Sequence, residues 1–201
     1  MKKVLPPAAL PLALAALPVP GCQSPAPPAA PPNPPARIVP AGATEASLRA
    51  NWKERLDQPY VYLEHRGDYR ALGGRMRELF AAAETAGIAA TGPPFALFFD
   101  DPGAVAIADL TSRVCLPVDG PPAEAGGLAY DVLPPAMVAY GLVPGAYDRV
   151  AGAYPALFAY VEDHGWTARG PLREIYLVNP ADAASFADLL TEVQIPWVPG
   201  R

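Results

Sequence analysis

Apolar positions recur along this chain with two periods, and the changes of period mark out its elements. From Arg70 to Ala86, Leu72, Met76, Leu79, Phe80 and Ala83 fall on one helical stripe, and Gly87 ends the segment as a C-terminal glycine does. A second helix is predicted from Asp148 to His164, ending at Gly165. Shorter stretches read as strands: Tyr60 to His65, Phe95 to Phe99, Ser112 to Val118, Met137 to Leu142, Arg173 to Leu177 and Glu192 to Trp197. Leu48, Trp52 and Leu56 recur every four residues, which predicts a lead-in helix over 44–56.

These elements come in two sets. A shift of 78 positions aligns residues 61–102 with 139–180 without a gap, and 13 of the 42 pairs are identical. They include Tyr62 with Tyr140, Gly67 with Gly145, Tyr69 with Tyr147, Leu79-Phe80-Ala81 with Leu157-Phe158-Ala159, and Gly92-Pro93 with Gly170-Pro171. Each copy reads as strand, helix, strand, strand, with a Gly-x-Tyr turn launching the helix. The predicted fold is mixed α+β: two tandem repeats, about 59–118 and 137–198, related by a pseudo-twofold axis with a pocket between them.

Composition separates the amino-terminal part from the rest. Thirteen of the 28 prolines lie in residues 1–40, against three of the 35 charged side chains. Lys2 and Lys3, an apolar run from Val4 to Val19 and the small residues before Cys22 read as an export signal over 1–21. Residues 22–40 hold eight prolines and read as an extended tether. Val19-Pro20-Gly21-Cys22 resembles the lipobox of bacterial lipoproteins. That resemblance implies acylation of Cys22 and a membrane partner through the lipid; Pro20 departs from the usual residue there. Because Gln23 is not an aspartate, it also implies the outer membrane in a Gram-negative cell. The other cysteine, Cys115, is then a lone thiol expected to be buried.

Without residues 1–21 the chain carries 13 basic and 20 acidic side chains, a net charge of −7, and no basic cluster. No nucleic-acid partner is expected. Two histidines 99 positions apart give no metal spacing, and no metal or cofactor is expected. There is also no Gly-x-Ser-x-Gly and no phosphate loop.

The Gly-x-Tyr turn, the helix ending in glycine, Arg173-Glu174-Ile175-Tyr176-Leu177 before Asn179-Pro180, and the closing Val193-Gln194-Ile195-Pro196 resemble the GyrI-like small-molecule-binding domain. This domain is also the effector-binding half of some AraC-type and MerR-type regulators. The resemblance covers about 57–199. It implies a hydrophobic pocket between two repeats, lined with aromatics and holding one acid. Regulators of the family add a DNA-binding domain; in this sequence an export signal precedes the domain instead.

Strand alternation places Glu174 and Tyr176 on one face and Ile175 and Leu177 on the other. If the apolar face meets the helix, Glu174 and Tyr176 face away from it, beside Ala96 and Phe98. A lone carboxylate among aromatic rings is costly to bury unpaired, so Glu174 is the candidate charge partner of a cationic ligand, and it matches the acidic position of the family motif. Its structural alternative is an exposed carboxylate, or one paired with Arg173. Tyr176, Phe98, Tyr62, Tyr140 and Trp166 complete the candidate ligand-binding set; Trp166 reads equally as a cap over the core. Asp100-Asp101 reads as a polar turn.

Three functions remain open. The first is an envelope-anchored binder of a hydrophobic or cationic small molecule. The second, implied by stand-alone relatives, is a hydrolase of reactive cyclopropane-type toxins, with Glu64 and His65 as the nearby proton carriers. The third is an envelope interaction module without a ligand.

Overall fold

The computed structural model describes residues 48–180 and 182–200. The predicted signal segment, the tether, Cys22 and the start of the lead-in helix lie outside the described residues.

Nine strands form one antiparallel sheet: β1 (Asn51–Arg55), β2 (Gln58–Arg66), β3 (Phe95–Phe98), β4 (Thr111–Pro117), β5 (Ala129–Leu133), β6 (Ala136–Pro144), β7 (Trp166–Ala168), β8 (Leu172–Tyr176) and β9 (Leu190–Pro199). Their order is β1-β6-β9-β8-β3-β4-β2-β5, with β7 also paired to β9. Helix α1 (Leu72–Thr85) follows a 3-10 turn at Tyr69–Ala71, and α2 (Tyr154–Asp163) follows a 3-10 run over Tyr147–Ala153. The order β2-α1-β3-β4 is met again as β6-α2-β8-β9. Gly67 and Gly145 turn the chain into each helix, and Gly87 and Gly165 out of it, all at positive φ.

The lead-in helix is not formed over 51–55, which is strand β1. Leu48, Ala50 and Trp52 all pack on the core beneath α2, alternating as a strand does. A spacing of four fits both the helical period and twice the strand period, so Leu48, Trp52 and Leu56 alone did not separate the two. Leu56 itself is 70% exposed. Strands β5 and β7 were not predicted; β5, AYDVL, is mostly solvent-facing and lacks an apolar run.

The two edge strands are exchanged. β1 precedes β2 in the chain but pairs with β6, and β5 precedes β6 but pairs with β2. They stand at the same 78-residue offset as the sequence repeat, from Asn51 to Ala129.

Both helices cover the same face. α1 packs on Val61, Ala96, Val114 and Leu116, and α2 on Ala139, Val143, Val193 and Ile195. In the ladder, Ala96 stands beside Glu174 and Glu174 beside Val193, so these residues share one side of the sheet. The opposite face holds a third core of Tyr60, Phe95, Leu97, Cys115, Leu133 and Ile175. Burying each large apolar side chain contributes about 1.5–3 kcal/mol, and with cores on both faces the central strands are fixed in register. Cys115 is a buried free thiol of the third core.

Candidate functional site

Strands β3 and β8 lie side by side at the middle of the sheet. Phe95 pairs with Ile175, Ala96 with Glu174 and Leu97 with Arg173. Ile175 belongs to the core on the helix-free face, so the expectation that it meets a helix is overturned. Glu174 and Tyr176 point instead toward the helices. One face of β8 is buried and the other half-buried, and alternation alone does not say which of the two a helix covers.

On the helix face, Glu174 is surrounded by tyrosines. Tyr154, the first residue of α2, donates its hydroxyl to Glu174 Oε1 at 2.7 Å, and Tyr176 donates to Oε2 at 3.2 Å. The Tyr147 ring meets Tyr176 edge-on with centroids 5.2 Å apart, and Tyr69 meets Phe98 in the same way at 4.9 Å. Tyr147 is 39% exposed and forms the outer side of the group. Burial raises the Glu174 carboxyl pKa above the usual range, while its two tyrosine hydrogen bonds act to lower it. Burial and the adjacent carboxylate push the Tyr154 and Tyr176 hydroxyls upward, so both remain donors at neutral pH.

Comparison of the two halves shows how this polarity arises. At the 78-residue offset, Ala96 becomes Glu174, Phe98 becomes Tyr176 and Met76 becomes Tyr154. An apolar trio in the first half is replaced in the second by a carboxylate and its two donors. Met76 packs in the core beneath α1, where no such acid stands. Tyr154 lies outside the sequence-predicted set; its signal is the pairing with Met76 in the gapless alignment, where the differences between the copies carry the polar site and the identities do not.

Of the sequence-predicted residues, Glu174, Tyr176 and Phe98 come together on the helix face. Tyr62 and Tyr140 do not join them: each lies on the opposite face, Tyr62 beneath the Arg113 guanidinium at 4.0 Å and Tyr140 beneath the Lys53 ammonium at 4.4 Å. Trp166 is also elsewhere. It stacks on Trp197 with centroids 3.6 Å apart, and Trp52 stands perpendicular to both, so it caps the core under α2. Glu174 is not paired with Arg173, which lies on the other face and donates to Gln58. Glu64 turns to that same face, near Arg66 and Arg113, and the His65 ring bonds the Asp68 carbonyl. Neither adds a proton carrier to Glu174. Asp100 and Asp101 accept the Thr111 and Gly103 amides and close a turn.

Two cavities of about 390 Å³ lie away from this group, one beside Arg55, Gln58 and Asp119 and one beside Pro180, Phe186 and Leu189. Neither includes Glu174. Each of its carboxylate oxygens accepts one of the protein's own hydroxyls, and the residue stays half-buried.

The chain belongs to the GyrI-like small molecule binding domain family, whose model matches residues 53–198. Among solved structures, the crystal structure of the EcmrR C-terminal domain is similar at 21% identity and a TM-score of 0.67, covering 76% of this chain and 99% of that one. EcmrR in its DNA complex aligns at 21% identity and a TM-score of 0.68 over 76% of this chain; the match spans 58% of the longer EcmrR chain. SAV2435 bound to tetraphenylphosphonium aligns at 11% identity and 0.56, covering 75% of this chain and 94% of that one. A hydrolase encoded by lin2189 from Listeria innocua aligns at 10% and 0.54, covering 74% and 91%. These likenesses show the fold. No curated protein matches the chain.

Proposed function

We propose that this protein binds a hydrophobic cation at Glu174, with Tyr154, Tyr176, Tyr147, Tyr69 and Phe98 as walls. The observation that carries the reading is a carboxylate placed among aromatic rings and held only by neutral hydroxyl donors. Among the described residues no positive side chain pairs with it, so a cationic ligand supplies the missing charge and the ring faces supply cation–π attraction. A ligand cation meets the remaining lone pairs of the half-buried carboxylate, beside the two tyrosine hydroxyls. SAV2435 is a family-fold neighbour bound to tetraphenylphosphonium, which makes that cation the natural probe.

The residues around Glu174 favour binding over hydrolysis. Acid–base hydrolysis calls for a second proton carrier matched in pKa, and the hydroxyls beside Glu174 are tyrosines shifted away from neutrality. The lipobox-like segment before Cys22 supports an exported protein held to a membrane by acyl chains, with residues 22–40 as a spacer.

A thermal-shift series with cationic and neutral amphiphiles tests the binding reading. Cationic compounds are expected to raise the melting temperature of the wild type and not of Glu174→Gln, and mass spectrometry is expected to recover each compound intact. Equal shifts from neutral and cationic compounds remove the charge argument, and a cleaved product restores the hydrolase. For the anchor, Cys22→Ser is expected to move the protein from the membrane fraction to the soluble fraction; an unchanged distribution contradicts it.

A further inference from the structure

Among the described residues, the face of the sheet away from the helices carries Lys53, Arg55, Arg66, Arg113 and Arg173, and they are treated differently; Arg66 stands 3.9 Å from Glu64. Lys53 meets Glu192 at 2.6 Å, and Arg113 meets Asp131 at 2.8 Å. Arg55 and Arg173 have no carboxylate within ion-pair distance among the described residues. Their hydrogen bonds run to neutral acceptors: Arg55 Nη2 to the Pro134 carbonyl at 2.6 Å, and Arg173 Nη2 to Gln58 Oε1. The Nε atoms of both are buried without a partner. Arg173 is only 4% exposed, its guanidinium lying 3.9 Å over the Phe95 ring. Burial, and then the like charge of Arg55, lower Arg173 to about 10 against the opposing pull of the Glu192 carboxylate, so Arg173 remains protonated at neutral pH; burial lowers Arg55 as well.

The like charges of Arg55 and Arg173 act against each other, Arg173 being buried and Arg55 half-buried, and an anion near both relieves that repulsion. The space is adjacent: Arg55 and Gln58, the residue that holds Arg173, both line a cavity of about 390 Å³ with Leu56, Pro59, Thr91 and Val118. Asp57 and Asp119 line it too, but both are exposed and therefore screened by water. We propose that Arg55 and Arg173 form an oxyanion site on the helix-free face, taking the carboxylate or phosphate group of a small ligand in the cavity beside Arg55 and Gln58. A guanidinium fork presents paired N–H donors that fit either group. The site is independent of Glu174, which faces the other side of the sheet.

The test is a thermal unfolding series on the full-length protein with sodium phosphate, sodium acetate and sodium chloride at equal ionic strength. Phosphate or acetate is expected to raise the wild-type melting temperature above chloride. Arg55→Gln is expected to weaken that binding about tenfold or more, and Glu174→Gln to leave it unchanged. A response to phosphate alone assigns a phosphate-bearing ligand; a response to acetate assigns a carboxylate. If circular dichroism shows Arg55→Gln to be unfolded, Arg55→Lys serves instead. It keeps the charge and loses the fork, and weaker binding is again expected. The proposal is overturned if neither oxyanion exceeds chloride, or if the folded Arg55 variant binds as the wild type does.

Discussion

Glu174 owes its character to three neighbours rather than to its own position in the motif. Its ladder partner Ala96 is too small to shield it, and among the described residues Tyr154 and Tyr176 supply the hydrogen bonds to its oxygens. A carboxyl whose folded pKa is raised binds its proton more tightly in the native state than in the unfolded one. Glu174 therefore subtracts from stability as pH rises from below the ordinary carboxyl range through its elevated folded value. Glu174→Gln is expected to melt at or above the wild-type temperature near neutral pH, with the difference vanishing in acid; a variant that melts lower near neutral pH contradicts this. Tyr154→Phe removes a donor that holds the carboxyl pKa down. Side-chain carbon NMR should show the Glu174 titration moved upward in that variant, at a stability cost of about 1–3 kcal/mol. An unmoved titration means that the Tyr154 bond does not persist in solution. Glu174, Tyr176 and Phe98 were legible from the motif and strand alternation. The side they face was not, because an Arg- and aromatic-containing core on the far face takes up Ile175 and Phe95 without any helix.

At the scale of elements, the hydrophobic pattern located both helices and six strands, because these bury one stripe or alternate residues. It failed at β1, β5 and the three-residue β7. β1 carries Trp52 on one face and Lys53 and Arg55 on the other; β5 is mostly exposed, and the pairing of each is decided by a strand distant in sequence. Where the chain enters β1, Leu48 fills the place a side chain on Gly141 of β6 would take: a Cβ there would stand 2.8 Å from Leu48 Cδ1. Gly141→Ala is expected to cost about 1–3 kcal/mol by overpacking, and the added Leu48→Ala to recover part of it, giving a coupling energy of about 0.5–3 kcal/mol in a double-mutant cycle. Additive costs show that the lead-in does not cross β6 in solution. Tyr62, Tyr140 and Trp166 were singled out as repeat partners or end-of-helix aromatics, and all three are aromatic packing: two under cations of the far face and one on Trp197.

At the scale of the whole described sheet, the order β2-α1-β3-β4 recurs as β6-α2-β8-β9, with unlike side chains where the two sets meet. Exchange of β1 and β5 ties each half to the other, and the paired strands β3 and β8 carry the join. A core change in either half should therefore unfold both together. Leu157→Ala, at a fully buried position of α2, is expected to cost about 2–5 kcal/mol, with tryptophan fluorescence and far-UV circular dichroism still falling in one transition. Two separated transitions mean that the exchanged strands do not couple the halves. The substitutions Ala96 to Glu174, Phe98 to Tyr176 and Met76 to Tyr154 turn one half's apolar packing into a polar site at the join. The most direct test is calorimetric titration of wild type and Glu174→Gln with tetraphenylphosphonium. Saturable one-to-one binding to the wild type, weakened about tenfold or more in the variant, is the predicted result. Absence of binding, or equal affinity in both proteins, contradicts the assignment of Glu174 as the charge partner of the ligand.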